Sequence, residues 1–89
     1  MPSKLYAVRD CATGFYLPPV IGESDNGMIR SFGDAVTSGK DTPLAQHPED
    51  YTLCLIGEFD RETGKLFSTD IVILAHGSDF VSRKESPNA

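Results

Sequence analysis

A histidine, a proline and two carboxylates stand together at His47-Pro48-Glu49-Asp50, while a second histidine, His76, and two thiols, Cys11 and Cys54, lie elsewhere in the chain. A metal ion needs three or four such groups converging on one point. The segment reads more simply as a proline-anchored loop whose carboxylates solvate or cap the start of a strand, so no metal and no cofactor is expected. Cys11 and Cys54 are far apart in sequence and form no CxxC pair, which suits free thiols acting as small hydrophobes. A single disulfide between them stays open, because their separation in space is not written in the sequence. No nucleophile elbow, GxGxxG turn or GxxxxGKS loop occurs, and an enzyme is therefore not expected. The acidic stretch Glu58-Phe59-Asp60-Arg61-Glu62 lacks the alternating ligands and closing glutamate of a calcium loop and reads as a solvated hairpin tip.

Aromatic rings interleaved with basic groups are the remaining candidates. On an alternating strand Lys4 and Tyr6 point the same way, with Arg9 just beyond. Rings beside Lys or Arg on a sheet are one way in which single strands of nucleic acid are held, by base stacking together with phosphate contact. The competing reading makes Tyr6, Phe15 and Tyr16 packing residues, as aromatics in a small domain commonly are. On the residues alone, packing is the stronger of the two.

The elements that must position these groups belong to a short chain. Its 89 residues allow one domain, and 39% hydrophobic with 24% charged residues is an ordinary composition for a folded globular chain. A chain this small buries only roughly 60–65% of its unfolded surface, so its stability can lean on self-association. Eight Lys and Arg against thirteen Asp and Glu leave a net charge of −5. That balance argues against coating nucleic acid by net charge alone, which needs clustered cations. No apolar leader follows the first residues, and the longest apolar run, Ile71 to Ala75, has the length of a strand. The expectation is a cytoplasmic protein that does not engage a membrane.

Lys4 to Arg9 is a β-favouring run that ends in the turn residues Asp10 to Gly14, and Phe15-Tyr16-Leu17 can pair back as a hairpin until Pro18-Pro19 stops it. Met28 to Thr37 is the helix candidate. Ile29, Phe32 and Val36 form its apolar stripe, Asp25 or Asn26 its N-cap, and Gly39-Lys40 its stop signal. Gly33 weakens that helix by about 1 kcal/mol relative to Ala. Pro43 and Pro48 oppose regular structure between Lys40 and Asp50. Tyr51 to Phe59 is the strongest strand, with Tyr51, Leu53, Leu55 and Phe59 on one face and Cys54 and Ile56 on the other. Asp60 to Lys65 is a turn with Gly64 available for positive φ, Leu66-Phe67 begins a return strand, and Ile71 to His76 makes a further one. The fold class is α+β: a small, mainly antiparallel sheet with one packed helix in the order β-β-α-β-β-β. Residues 1–77 form the domain, and 78–89, with few apolar residues, read as a polar, flexible tail.

Four segments, Lys4 to Asp10, Ile29-Arg30-Ser31-Phe32, His47 to Tyr51, and Leu55 to Asp60 followed by Thr63-Gly64, resemble in order and spacing the small nonstructural protein of gokushoviruses, microviruses with single-stranded DNA genomes. The resemblance spans about residues 4–77. It implies a phage-encoded, noncapsid protein made in the cytoplasm of the infected bacterium, binding single-stranded DNA during genome replication or packaging. It carries no catalytic residues to transfer. If DNA is contacted, Arg9 and Arg30 come first, as basic residues inside the matched segments. Lys4 and Tyr6 follow for their shared strand face, then Lys65 for its place beside the hairpin tip. The −5 charge opposes such binding by a monomer, and a homodimer would gather scattered cations onto one surface. The alternative is a protein-interaction regulator that recruits or blocks the phage replication initiator, the procapsid or a host replication protein.

Overall fold

Strand-forming residues alternate along β1, Ser3–Asp10, so that Tyr6 and Val8 face one side of a sheet while Ala7 and Arg9 face the other. The computed structural model describes residues 2–85. Two short strands, β2 (Phe15–Tyr16) and β3 (Val20–Gly22), pair antiparallel with the two ends of β1, Arg9 lying opposite Tyr16 and Leu5 opposite Ile21. Along its other edge β1 pairs antiparallel with β4, Tyr51–Phe59, and β4 pairs with β5, Leu66–His76. The five strands run β2-β1-β4-β5, with β3 beside β2 on β1. The fold is α+β with an antiparallel sheet, as the alternating patterns predict.

Helix α1, Asp25–Val36, lies on one face and buries Phe32 and Val36 against Tyr6, Tyr51, Leu53 and Ala75. Burying each of these two helix side chains stabilises by about 2–3 kcal/mol. The predicted stripe is the buried one, but the cap differs. Ser24, not Asp25 or Asn26, accepts from the Gly27 N–H at 3.0 Å. Asp25 is engaged elsewhere: its carboxylate accepts from the Tyr6 hydroxyl at 2.7 Å and from Lys4 Nζ at 3.3 Å.

Four further expectations are corrected. Pro18-Pro19 do not end the pairing; they lie in the connection between β2 and β3, and strand geometry resumes at Val20. Pro43 and Pro48 do not keep their segment irregular. Pro43 opens a short helix, α2 (Pro43–Gln46), capped by Thr42, and Pro48 opens a 3₁₀ turn through Asp50. Proline suits both places, because the first N–H of a helix has no partner to lose. Leu66 to His76 is one strand, not two: its register against β4 shifts between Leu53 and Cys54 and between Leu55 and Gly57, so Thr69-Asp70-Ile71, between the paired Ser68 and Val72, pass as an irregularity within it. The segment after Gly77, expected as a polar tail without regular structure, carries a helix, α3, over Ser78–Glu85. Residues 86–89 of the expected tail lie outside the described residues.

Two apolar residues decide the packing of α3. Phe80 sets its ring edge-on to Phe32, with centroids 5.9 Å apart and planes at 74°, and Val81 joins the same cluster. Gly33 makes this possible: a Cβ there would lie 2.6 Å from the Phe80 ring. The residue that weakens α1 by propensity is the one that lets α3 dock on it.

The helices therefore cover one face of the sheet. The chain is elongated, 51 × 25 × 23 Å, with a radius of gyration of 14.2 Å, against about 12 Å for a compact chain of this length. Among the described residues no helix is long and apolar enough to cross a membrane.

Candidate functional site

Strand alternation sends Arg9 of β1, Thr52 and Cys54 of β4, and Ile71, Ile73 and His76 of β5 to the face opposite the helices, where no helix packs among the described residues. With Cys11, Gly14 and Tyr16 they line a depression of about 400 Å³. The β1–β2 hairpin supplies Tyr16: Asp10 turns the chain by accepting from the Ala12 N–H at 3.0 Å, and Gly14 takes φ 85°. The resulting register sets Tyr16 across from Arg9.

A line of polar contacts crosses this face. The Arg9 guanidinium lies over the Tyr16 ring, 5.8 Å from its centroid, and Arg9 Nη1 is 3.8 Å from Cys11 Sγ. Cys11 Sγ is 3.6 Å from Thr52 Oγ1, which is 3.4 Å from His76 Nδ1. Burial, and secondarily the neighbouring Cys11, push the Cys54 thiol up, so it stays protonated at neutral pH and is no nucleophile. His76 meets a hydroxyl here and not a thiol. The site offers a cation, an exposed ring, an imidazole and apolar walls. That set can hold a flat, partly anionic ligand.

The residues named from sequence are dispersed. Arg9 is in the open-face site. Lys4 and Tyr6 do share a side, as alternation predicts, but it is the helix side. Tyr6 is fully buried, so its ring has no face to give a base, and its hydroxyl is committed to Asp25. Burial and that bond push the Tyr6 phenol up to about 12, while the Tyr6 hydroxyl, with Lys4 second, holds the Asp25 carboxyl below its ordinary value. Arg30 is exposed on α1, across the sheet from Arg9, and Lys65 is exposed at the β4–β5 hairpin tip beside Gly64, which takes the expected positive φ of 78°. From sequence, His76 stands only among possible metal ligands, Tyr16 reads as a packing residue, and Thr52 carries no signal. Parity and a hairpin turning at Asp10 to Gly14 are enough to place Tyr16 beside Arg9, whereas His76 reaches this face only because the register of β5 shifts between Ile73 and Ala75.

His47, Glu49 and Asp50 bring ligand atoms within 4.8 Å of one another at the surface, with His47 Nδ1 3.9 Å from Glu49 Oε2. They are neighbours on the 3₁₀ turn, so the clustering restates their adjacency in sequence. Cys54 and His76 do not join them.

The family model of the phage ORF5 protein matches residues 3–80, most of the 89-residue chain. No curated protein and no solved structure matches.

Proposed function

The chain belongs to the phage ORF5 protein family, and from that premise we propose a non-catalytic accessory protein of a gokushovirus-type phage that holds single-stranded DNA on its open sheet face during genome replication or packaging. The observation that carries this reading is the Arg9–Tyr16 pair, a cation over an exposed ring on a sheet face that no helix covers. Tyr16 and the flat Arg9 guanidinium offer stacking surfaces to a base, Arg9 and His76 offer donors to phosphate, and Ile71 and Ile73 shield the contact from water. Duplex DNA, whose bases are already stacked, has no ring free for this surface.

The charge of −5 sets the character of the binding. Long-range attraction is absent, so affinity rests on stacking, and few counterions are released. Fluorescence anisotropy of a labelled single-stranded oligonucleotide, with a duplex control across a salt series, tests this. Single-strand preference is expected, with a log–log salt slope of only about −1.4 to −2.1, matching two or three phosphates at roughly −0.7 each. Tyr16→Ala is expected to weaken binding about 5- to 100-fold, the worth of one stacked base, and Tyr16→Phe to leave it nearly intact. Absence of binding at low salt overturns the proposal.

A protein partner is the second reading, favoured by the exposure, among the described residues, of ten large apolar side chains, Phe15, Leu66 and Ile73 among them. It expects co-purification of the phage replication initiator, the procapsid or a host replication protein, with no DNA affinity at physiological salt.

A further inference from the structure

Strand β5 is the last strand of the sheet, and among the described residues no strand pairs with its outer edge. Its eleven residues leave a row of backbone N–H and C=O groups free, a ready template for another strand. Proteins protect such edges with lysine, proline or a covering element. Here Leu66 to His76 carries no lysine, arginine or proline, and Asp70 is its one carboxylate.

Exposed apolar side chains lie at both sheet edges, Phe15 to Ile21 beside β2 and β3 and Leu66 to Ile73 on β5, but β2 and β3 are only two and three residues long, so β5 is the edge with the length to template a partner strand. Leu66, Phe67, Ile71, Val72 and Ile73 are between 45% and 69% exposed. They lie on both sides of the strand: Ile73, opposite Cys54, faces the open side, and Val72, opposite Leu55, faces the helix side. A sheet that stacked its open face on a partner would leave only one set bare. Exposure on both sides marks a strand that is missing its lateral neighbour. The five side chains present roughly 500 Å² per chain, so about 1,000 Å² is the most that their burial in a pair could contribute, the size at which a specific interface begins.

We infer that β5 is the seam of a symmetric dimer, in which the β5 strand of a second copy pairs antiparallel along it and joins two five-stranded sheets into one. The occupant is a second copy because a strand that is apolar or neutral nearly throughout complements itself. An acidic chain also meets its own copy with least repulsion where it carries least charge. The two-fold axis stands perpendicular to the sheet, as antiparallel pairing of identical edges requires, so both open faces lie on the same side. Ile71, Ile73 and His76, one wall of each depression, then border the seam, and the two Arg9–Tyr16 pairs share one continuous surface. That last consequence rests on the DNA-binding reading; the seam itself does not.

Sedimentation equilibrium of the full chain without DNA tests the seam. The expected mass is twice 9.7 kDa. Ile73→Lys and Val72→Lys, on opposite sides of β5, should each halve it. Phe15→Lys, on β2 at the far edge, should leave the dimer intact. Both lysines replace exposed side chains, and an unchanged far-ultraviolet circular dichroism spectrum checks that the fold is retained. Hydrogen exchange should show β5 amides protected in the wild type and faster in the two variants. A monomer at every concentration overturns the inference. So does a dimer that Ile73→Lys dissociates and Val72→Lys does not, which would mean open faces stacked together, and so does one that only Phe15→Lys dissociates. A dimer that binds no oligonucleotide would remove the DNA reading and leave the seam standing.

Discussion

Tyr6 and Tyr16 put the same ring on opposite sides of one sheet, and the two sides treat it differently. On the helix side Tyr6 is sealed under α1, its phenol bonded to Asp25, which is held in turn by Lys4. On the open side Tyr16 is 42% exposed, and its neighbours are a cation, a hydroxyl and an imidazole reached through loose contacts of 3.4 Å or more. One side uses its polar groups to lock an element in place, and the other leaves them available. The difference separates stability from ligand contact in a chain with little core to spare, and it makes substitutions on the two sides distinguishable in the same assays.

The largest effect should come from breaking the helix side. Tyr6→Ala is expected to lose about 3–5 kcal/mol in urea unfolding, the range for truncating a buried large ring. Tyr16→Ala should stay within about 0.5 kcal/mol, as a substitution at an exposed position does. Equal losses at both positions would erase the distinction between the sides.

Next is Gly77→Ala. Its Cβ would overlap the Pro48 carbonyl, so the 3₁₀ turn and the start of α3 have to separate. A loss of about 1–3 kcal/mol is expected from such overpacking, with faster hydrogen exchange confined to α3 and the turn.

The smallest effect isolates one bond. Tyr6→Phe keeps the ring and deletes the hydroxyl, with an expected loss of about 1–2 kcal/mol for a bond to a charged acceptor. The difference should depend on pH in a set direction. The folded-state phenol is raised from 10.0 to about 12, so its contribution is whole below pH 10 and is lost as pH rises from 10 through 12. The Asp25 carboxyl is lowered, so its contribution is present above the unfolded value of 3.8 and is lost as pH falls through its lower folded value. Chemical unfolding of both proteins at pH 3, 7 and 12 should show the gap widest at pH 7.

Local and periodic signals were enough for part of the backbone of this protein, but not for β3, α2, the undivided β5 or α3. The α+β class, the stripe of Ile29, Phe32 and Val36, the span of β4 and the turn at Gly64 all follow from residue types at short separation, because side-chain period and turn chemistry act within a few residues. The family resemblance is also carried by short segments, and the match over residues 3–80 supports it as a phage protein. What needed the tertiary structure was every feature set by residues far apart. Phe80 is one apolar residue in a polar stretch, and only its pocket against Phe32 and Gly33 makes α3 worth ordering. Asp25 is an ordinary N-cap candidate until Tyr6 and Lys4, roughly 20 positions earlier, compete for its carboxylate. Which face of β1 would be covered was likewise undecided: alternation puts Tyr6 and Arg9 on opposite sides, but α1 chose the side of Tyr6 by burying Phe32 and Val36 there. That choice left Arg9, with Tyr16 and His76, on the uncovered face.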